Sequence, residues 1–189
     1  IKMGIKENLT LVCDFDEKDI SQKIKKTLEE HFKDSQKVNL EYKKFSDLKP
    51  AIKILRNGED TGVKFYGNIL GGEFQAFLES LKIIGNNECH ISQRVLEFIE
   101  EIDKPVDIKV FVTTSCGWCP PATIKAVSFA TVSRLINASI YECYSFPEIA
   151  MKYNVSAVPK TVINDKVEFV GVKDDNEYFG YIVNALGEV

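Results

Sequence analysis

Short apolar runs alternate with amphipathic segments along this chain, and the order of these segments occurs twice. In the first half, apolar residues that return at every third or fourth position predict a helix beginning near Asp19. Asn57-Gly58, between two apolar runs, indicates a β-hairpin. The predicted elements are a strand at 8–15, the helix from Asp19, a strand at 38–42, strands at 51–55 and 62–66, and a helix at 73–84.

The second half repeats this order, with a hairpin turn predicted at Asn164-Asp165. Its predicted elements are a strand at 108–113, a helix at 120–135, a strand at 138–143, a short helix at 147–153, a strand from Pro159, a strand at 167–170 and a helix at 176–186. We therefore expect an α/β protein built of two similar units, residues 1–103 and 104–189.

A further amphipathic segment lies between the two halves and belongs to the first unit. Its apolar residues share one helical face, which needs a core to pack against. This face consists of Ile91, Val95, Phe98, Ile99 and Ile102. The segment is therefore predicted to pack against the rest of the protein, and only residues 103–105 are predicted to form a linker.

Composition narrows the class of protein. A hydrophobic content of 44% supports a packed core, and a net charge of −4 argues against a nucleic-acid partner. No apolar stretch approaches the roughly 20 residues that span a membrane, and residues 1–7 lack a signal-peptide pattern. Five cysteines are too few for a secreted disulfide scaffold. We expect a cytoplasmic protein.

The sequence Cys116-Gly117-Trp118-Cys119 carries the chemistry. Two thiols at this spacing, between a strand and a helix, can close a disulfide, and the helix N-terminus favours a reactive thiolate. Half of a zinc site and a purely structural disulfide are alternative interpretations. A closed zinc site needs about four ligands, but the chain has no second CxxC and only two histidines, His31 and His90.

The first unit has no such dithiol. When residues 8–11 are aligned with residues 107–110, Glu17 and Ile20 fall at the positions of Cys116 and Cys119. Pro50 then becomes the counterpart of Pro159. We interpret the first unit as a catalytically silent copy.

Several stretches carry a family resemblance: residues 49–52, 62–67, 72–74, 116–119 and 153–160. The chain resembles the protein disulfide oxidoreductase, or glutaredoxin-like, family of archaea and thermophilic bacteria, over nearly its whole length. The resemblance implies two tandem thioredoxin-like folds, each a central mixed β-sheet flanked by helices. Members usually carry a CxxC in each half. With the first dithiol missing, the chain is also similar to the N-terminal domain of the alkyl hydroperoxide reductase flavoprotein.

The resemblance implies roles for the site residues. Cys116 would attack a substrate disulfide, and Cys119 would resolve the mixed disulfide. The other expected substrate-binding residues are Gly117, Trp118, Val158 and Pro159, with a cis peptide bond before Pro159. Partial packing of Trp118 against its own fold is the alternative. No cofactor is expected beyond the redox-active Cys116–Cys119 disulfide, and no metal.

Proton transfer to or from Cys119 needs an acid or base nearby. Thioredoxins carry a buried acid six residues before the first cysteine, where this chain has Val110. Glu142, among apolar and aromatic neighbours, is the predicted substitute, because burial would raise its pKa. The alternative is a solvated glutamate on an edge strand.

We therefore expect a protein-disulfide reductase, recharged by a thioredoxin reductase-like flavoprotein. The alternatives are a glutathione-using glutaredoxin, an electron relay to a peroxiredoxin, and an oxidase or isomerase that forms disulfides. The helix after the dithiol is poor in charge, with only Lys125 and Arg134 between residues 122 and 135. Such a helix is often covered, either by the silent unit or by a second copy of the chain in a homodimer.

Overall fold

The computed structural model describes residues 4–187. The expectation about a signal peptide and the outer ends of the two predicted units fall partly outside these residues. The elements, in chain order, are β1 Leu9–Asp14, α1 Asp19–Phe32, β2 Val38–Tyr42, β3 Ala51–Arg56, β4 Glu59–Tyr66, a 3₁₀ turn Gly71–Glu73, α2 Phe74–Gly85, α3 Gln93–Ile99, β5 Val106–Val112, α4 Cys119–Val132, β6 Ile136–Glu142, α5 Pro147–Lys152, β7 Lys160–Ile163, β8 Val167–Val170 and α6 Asp175–Ala185.

The strands form one continuous mixed sheet in the order β2-β1-β3-β4-β6-β5-β7-β8. Each half contributes four strands in an equivalent order. The halves are joined by parallel pairing of β4 with β6, in a register that runs from Val63 opposite Ala138 to Tyr66 opposite Tyr141. The predicted α/β class is confirmed, and the division into units at residues 103 and 104 stays a prediction. The merging of their two sheets into one was not anticipated.

Helix α4 packs against α2 of the first unit. This contact explains the low charge of α4, because Thr123, Ala126, Ser128 and Phe129 are all buried. Of the two predicted ways of covering α4, the silent unit is the one observed; a homodimer stays a prediction. The helix ends at Val132, three residues earlier than predicted, where Ser133 takes an extended conformation.

Helix α3 packs against α6 of the second unit. Its apolar face predicted packing against the rest of the protein, but not which unit it would contact. Val95 and Ile99 are buried, and Phe98 stacks on Phe179 with ring centroids 6.0 Å apart. The backbone N–H of Ser92 donates to Asp175 at 2.8 Å. The segment between the halves is therefore part of the packed structure.

Both predicted hairpin turns are present. Asn57 and Gly58 have positive φ angles of 51° and 82°, and Asn164 and Asp165 both have φ of 53°. Asparagine and glycine tolerate this left-handed conformation better than other residues, so the turn positions follow directly from the sequence. Within residues 4–187, no helix is both long and apolar enough to cross a membrane.

Candidate active site

Cys116 and Cys119 form a disulfide, with their Cα atoms 5.4 Å apart. Strand β5 ends at Val112 and helix α4 begins at Cys119, so the pair lies at the junction between them. Cys119 is 0% exposed, whereas Cys116 is partly exposed. The two sulfurs thus differ in access, and of the two residues only Cys116 is open to solvent.

The loop before β7 approaches the same sulfur. The Val158–Pro159 peptide bond is cis, and the Cys116 Sγ lies 3.7 Å from the carbonyl oxygen of Val158. The carbonyl of Pro159 accepts a hydrogen bond from the Gly171 N–H at 2.8 Å. The structure therefore brings Val158 and Pro159 together with the dithiol. The Lys49–Pro50 bond is also cis, in keeping with Pro50 as the counterpart of Pro159.

Gly117 and Trp118 lie between the two cysteines on the surface. Trp118 is 71% exposed, so its indole ring is not packed into its own fold. A Cβ atom added at Gly117 would meet nothing within 4 Å. An exposed aromatic ring beside a reactive sulfur offers an apolar contact to a substrate.

The first unit has a buried ion pair at the end of β1, next to its cis proline. Lys49 Nζ donates to the buried Asp14 carboxylate at 2.8 Å, and the N–H groups of Phe45 and Ser46 donate to its other oxygen. Burial raises the pKa of Asp14, but these hydrogen bonds outweigh burial and hold that pKa below its ordinary value. Burial also raises the pKa of the adjacent Cys13 thiol to about 12. This unit therefore presents no reactive thiol here.

Glu142, the acid predicted from the sequence, is 4% exposed at the end of a central strand. The alternative of a solvated edge glutamate is therefore wrong. Its carboxylate accepts a hydrogen bond from the Tyr144 N–H at 2.5 Å and another from the Ser145 hydroxyl at 2.9 Å. Both carboxylate oxygens of Glu142 thus accept hydrogen bonds from the turn that follows β6.

A second buried carboxyl, missed by the sequence analysis, comes from the first unit. Glu73 is 4% exposed, and burial raises its pKa to about 7, against a smaller lowering by the hydrogen bond from Thr123. The Thr123 hydroxyl donates to Glu73 Oε2 at 2.9 Å. Thr123 lies one helical turn after Cys119, on the same face of α4. Glu73 and Glu142 also line one small cavity with Val112.

The two glycines that precede Glu73 determine its position. The N–H of Gly72 donates to the carbonyl of Thr114 at 3.0 Å, and a Cβ atom on Gly72 would lie 2.5 Å from that oxygen. Gly71 has a φ of +69°. This close backbone contact places the first unit directly against the loop that leads to Cys116. The sequence hinted at it only through the glycine pair beside Glu73.

Two further thiols, Cys89 and Cys143, are free. Cys89 is exposed and Cys143 is partly buried, and burial, with the charge of Glu142, raises the pKa of Cys143 to about 11. Within residues 4–187, no three His, Cys, Asp or Glu side chains are grouped so as to hold a metal ion.

Comparison with known proteins bears on the half that holds the dithiol. A family profile described as thioredoxin domain matches residues 106–182. This half of the chain is therefore similar to thioredoxin domains. That similarity and the Cys116–Cys119 disulfide agree with a thiol–disulfide oxidoreductase.

Solved structures extend the likeness to both halves. The NTD_N/C domain of the alkyl hydroperoxide reductase AhpF from Enterococcus faecalis superposes with a TM-score of 0.86 and 21% identity, over 94% of this chain and 92% of that one. A protein disulfide oxidoreductase from Aeropyrum pernix gives 0.83 and 21% identity, over 98% and 89%. At these identities the likeness establishes the fold. The expectation of two tandem thioredoxin-like folds is confirmed.

Curated relatives are longer than this chain. An alkyl hydroperoxide reductase of Staphylococcus aureus is 24% identical over 157 residues, which are 83% of this chain and 30% of that protein. The "NADH dehydrogenase" of Bacillus subtilis is 23% identical over 160 residues, or 85% and 31%. The chain thus spans about a third of the length of these relatives.

Proposed function

We propose that this chain reduces protein disulfides, with Cys116 as nucleophile and Cys119 as resolving thiol. The observation that carries the proposal is the unequal access of the two sulfurs, together with the contact between Cys116 and the Val158 carbonyl. A substrate segment in extended conformation would pair with the backbone of Val158. The exposed Trp118 ring would contact its apolar side chains.

The reaction takes two exchange steps. In the reduced protein the Cys116 thiolate attacks one sulfur of the substrate disulfide, and the other substrate sulfur leaves as a thiolate and is protonated. The Cys119 thiolate then attacks the Cys116 sulfur, which closes the protein disulfide and releases the second substrate thiolate. The substrate gains two electrons and two protons, and the dithiol loses the same number.

Cys119 must lose its proton in an interior that is closed to water. Glu73 is our first candidate to take it, because its carboxyl accepts a hydrogen bond from Thr123, which lies one helical turn after Cys119 on α4, and a group with a pKa of about 7 exchanges protons readily near neutral pH. Glu142 is the second candidate, although its oxygens already accept two hydrogen bonds. On this proposal the unit without a dithiol supplies a group to the reaction.

Regeneration requires a two-electron donor, for which we propose a flavoprotein of the thioredoxin reductase type. A dedicated relay to a peroxiredoxin is the second candidate, favoured by the likeness of 94% of this chain to a domain of an alkyl hydroperoxide reductase. Turnover of insulin supports the general reductase. Activity restricted to a cognate peroxiredoxin supports the relay.

Trapping of the mixed disulfide tests the assigned roles. The Cys119→Ser variant should accumulate a covalent adduct with a disulfide-containing peptide through Cys116, detectable by mass spectrometry. Cys116→Ser should form no adduct and no reduced product. Cys89→Ser is the matched control, because it removes an exposed thiol away from the dithiol and should behave as the unmodified protein. Activity retained in Cys116→Ser would overturn the mechanism.

The reduction potential of the pair tests the direction of electron flow. A value near the ~−270 mV of thioredoxin supports an electron donor, and a value near ~−180 mV or higher supports an oxidant or isomerase.

A further inference from the structure

Lys160 directly follows the cis proline, and its charged group lies in the protein interior. The residue is 5% exposed, although lysine is rarely buried unless its charge is paired. Its Nζ donates to the carbonyl of Tyr153 at 2.7 Å and to the carbonyl of Asn154 at 3.3 Å. It also lies 3.2 Å from a carboxylate oxygen of Glu168 on β8. An ammonium group has three donors, and each has an acceptor here.

These contacts close a loop. Tyr153 caps the C-terminus of helix α5, and Asn154 takes the left-handed conformation after it, with φ of 53°. The chain then runs through the exposed residues Ser156 and Ala157 to the site. The Lys160 side chain reaches back from the end of this segment to its beginning, six and seven residues earlier. One charged side chain thus ties both ends of the segment 153–160.

We propose that Lys160 is a positioning residue for substrate: it holds the segment 153–160 so that the Val158 backbone stays beside Cys116. The backbone of Lys160 is itself fixed in the sheet, opposite Phe111 on β5 and Val170 on β8. Strand β5 also leads to the dithiol, so the Lys160 end of the loop is attached to the same strand as the dithiol. This inference rests on the proposed reduction of protein disulfides, since only a substrate with an extended backbone uses the pairing groups of Val158.

The test compares two substrates in the full chain. Lys160→Met keeps the length and apolar stem of the side chain and removes the charge. We expect the kcat/KM for insulin reduction to fall by roughly 10-fold or more, because a small displacement of a positioning group has large kinetic effects. Reduction of a small aromatic disulfide such as 5,5′-dithiobis(2-nitrobenzoate), which needs no backbone pairing, should change by less than about 2-fold on the same reasoning.

Glu168→Gln is the matched control. Glu168 is 60% exposed on its side chain, so this variant removes the surface partner and leaves both bonds to the carbonyls. It should keep the insulin kinetics of the unmodified protein. Equal losses for insulin and the small disulfide in Lys160→Met would overturn the proposal, and so would unchanged insulin kinetics.

Amide hydrogen exchange provides a readout that does not depend on activity. In Lys160→Met the amides of residues 154–158 should exchange faster, whereas those of β5 and β6 should not. If the unmodified protein failed to reduce insulin, the proposed function would be wrong. The exchange measurement would still show whether Lys160 holds the loop. If Lys160→Met does not fold, Lys160→Gln, which also removes the charge, is measured instead. Unaltered loop exchange in the folded variant would overturn the proposal.

Discussion

At the scale of single residues, Glu73 holds a buried carboxyl with one hydrogen-bond partner, Thr123. Its other oxygen, Oε1, has no partner among the described residues. Burial disfavours the charged form, so the protonated form is the stable one in the folded protein below about pH 7. Ionisation above that pH puts an incompletely solvated charge beside Thr123 on α4.

This arrangement predicts how stability changes with pH. The pKa of Glu73 rises from an ordinary 4.5 to about 7 on folding, so between these values the folded state binds more protons than the unfolded state. The free energy of unfolding should then fall as pH rises, by up to about 3 kcal/mol in total. Glu73→Gln should remove this loss, and should be more stable than the unmodified protein at pH 8. Urea unfolding at pH 5 and pH 8 measures the difference.

Two further variants complete the test. Glu177→Gln, on an exposed position of α6, should keep the pH dependence of the unmodified protein. In rapid-mixing experiments, Glu73→Gln should slow the closing of the disulfide more than Glu142→Gln does. If Glu142→Gln were the slower of the two, the proton would pass through the acid predicted from sequence. A pH dependence of stability that survives in Glu73→Gln would contradict the assigned pKa.

At the scale of elements, the 3₁₀ turn of the first unit makes a close backbone contact with the dithiol loop of the second. Gly72→Ala would place a methyl group 2.5 Å from the Thr114 carbonyl oxygen. The backbones must then separate and the hydrogen bond between them weakens. We expect a loss of roughly 1–3 kcal/mol in unfolding free energy and slower insulin reduction, measured by urea unfolding and turnover.

Gly180→Ala is the matched control for this substitution. Gly180 lies in α6, and a Cβ atom there would meet nothing within 4 Å. Alanine in a helix restricts the unfolded chain, so this variant should gain roughly 0.4–1 kcal/mol. If Gly72→Ala were as stable and as active as the unmodified protein, the contact would be required neither for stability nor for activity.

Local patterns were sufficient to predict most elements and the dithiol. The helical spacing in α1 and the turn at Asn57-Gly58 depend on neighbours within a few residues, so a sequence displays them directly. The contact of Glu73 with Thr123 joins residues 50 positions apart, and no periodicity marks it. Glu142 was the acid that the sequence suggested because its immediate neighbours in the chain, Tyr141 and Cys143, are aromatic or apolar.

At the scale of the whole molecule, the two units share one sheet and one helical layer. Strand β6 has β4 as a partner, and α4 is covered by α2. Separation would expose an unpaired parallel strand and the buried face of α4. Residues 104–189 expressed alone should therefore lack a cooperative unfolding transition and bind a hydrophobic dye, while the whole chain should unfold in one transition.

The comparison is made by circular dichroism and dye fluorescence on the whole chain and the fragment under identical conditions. A fragment that unfolds cooperatively and reduces insulin at the rate of the whole chain would show that the first unit is dispensable for folding and catalysis.

The join between β4 and β6 also bears on polymerisation. It brings together unlike edges, since β6 is the counterpart of β2 and β4 is the counterpart of β8. The outer strands β2 and β8 therefore present the same pair of unlike edges. If the β2 edge of a second molecule paired with β8 of the first, one free β2 edge and one free β8 edge would remain. The sheet could then extend from molecule to molecule without closing, as in a fibre. Strand β8 has only four residues, with Glu168 exposed. A short, charged edge of this kind is how sheet proteins resist such growth.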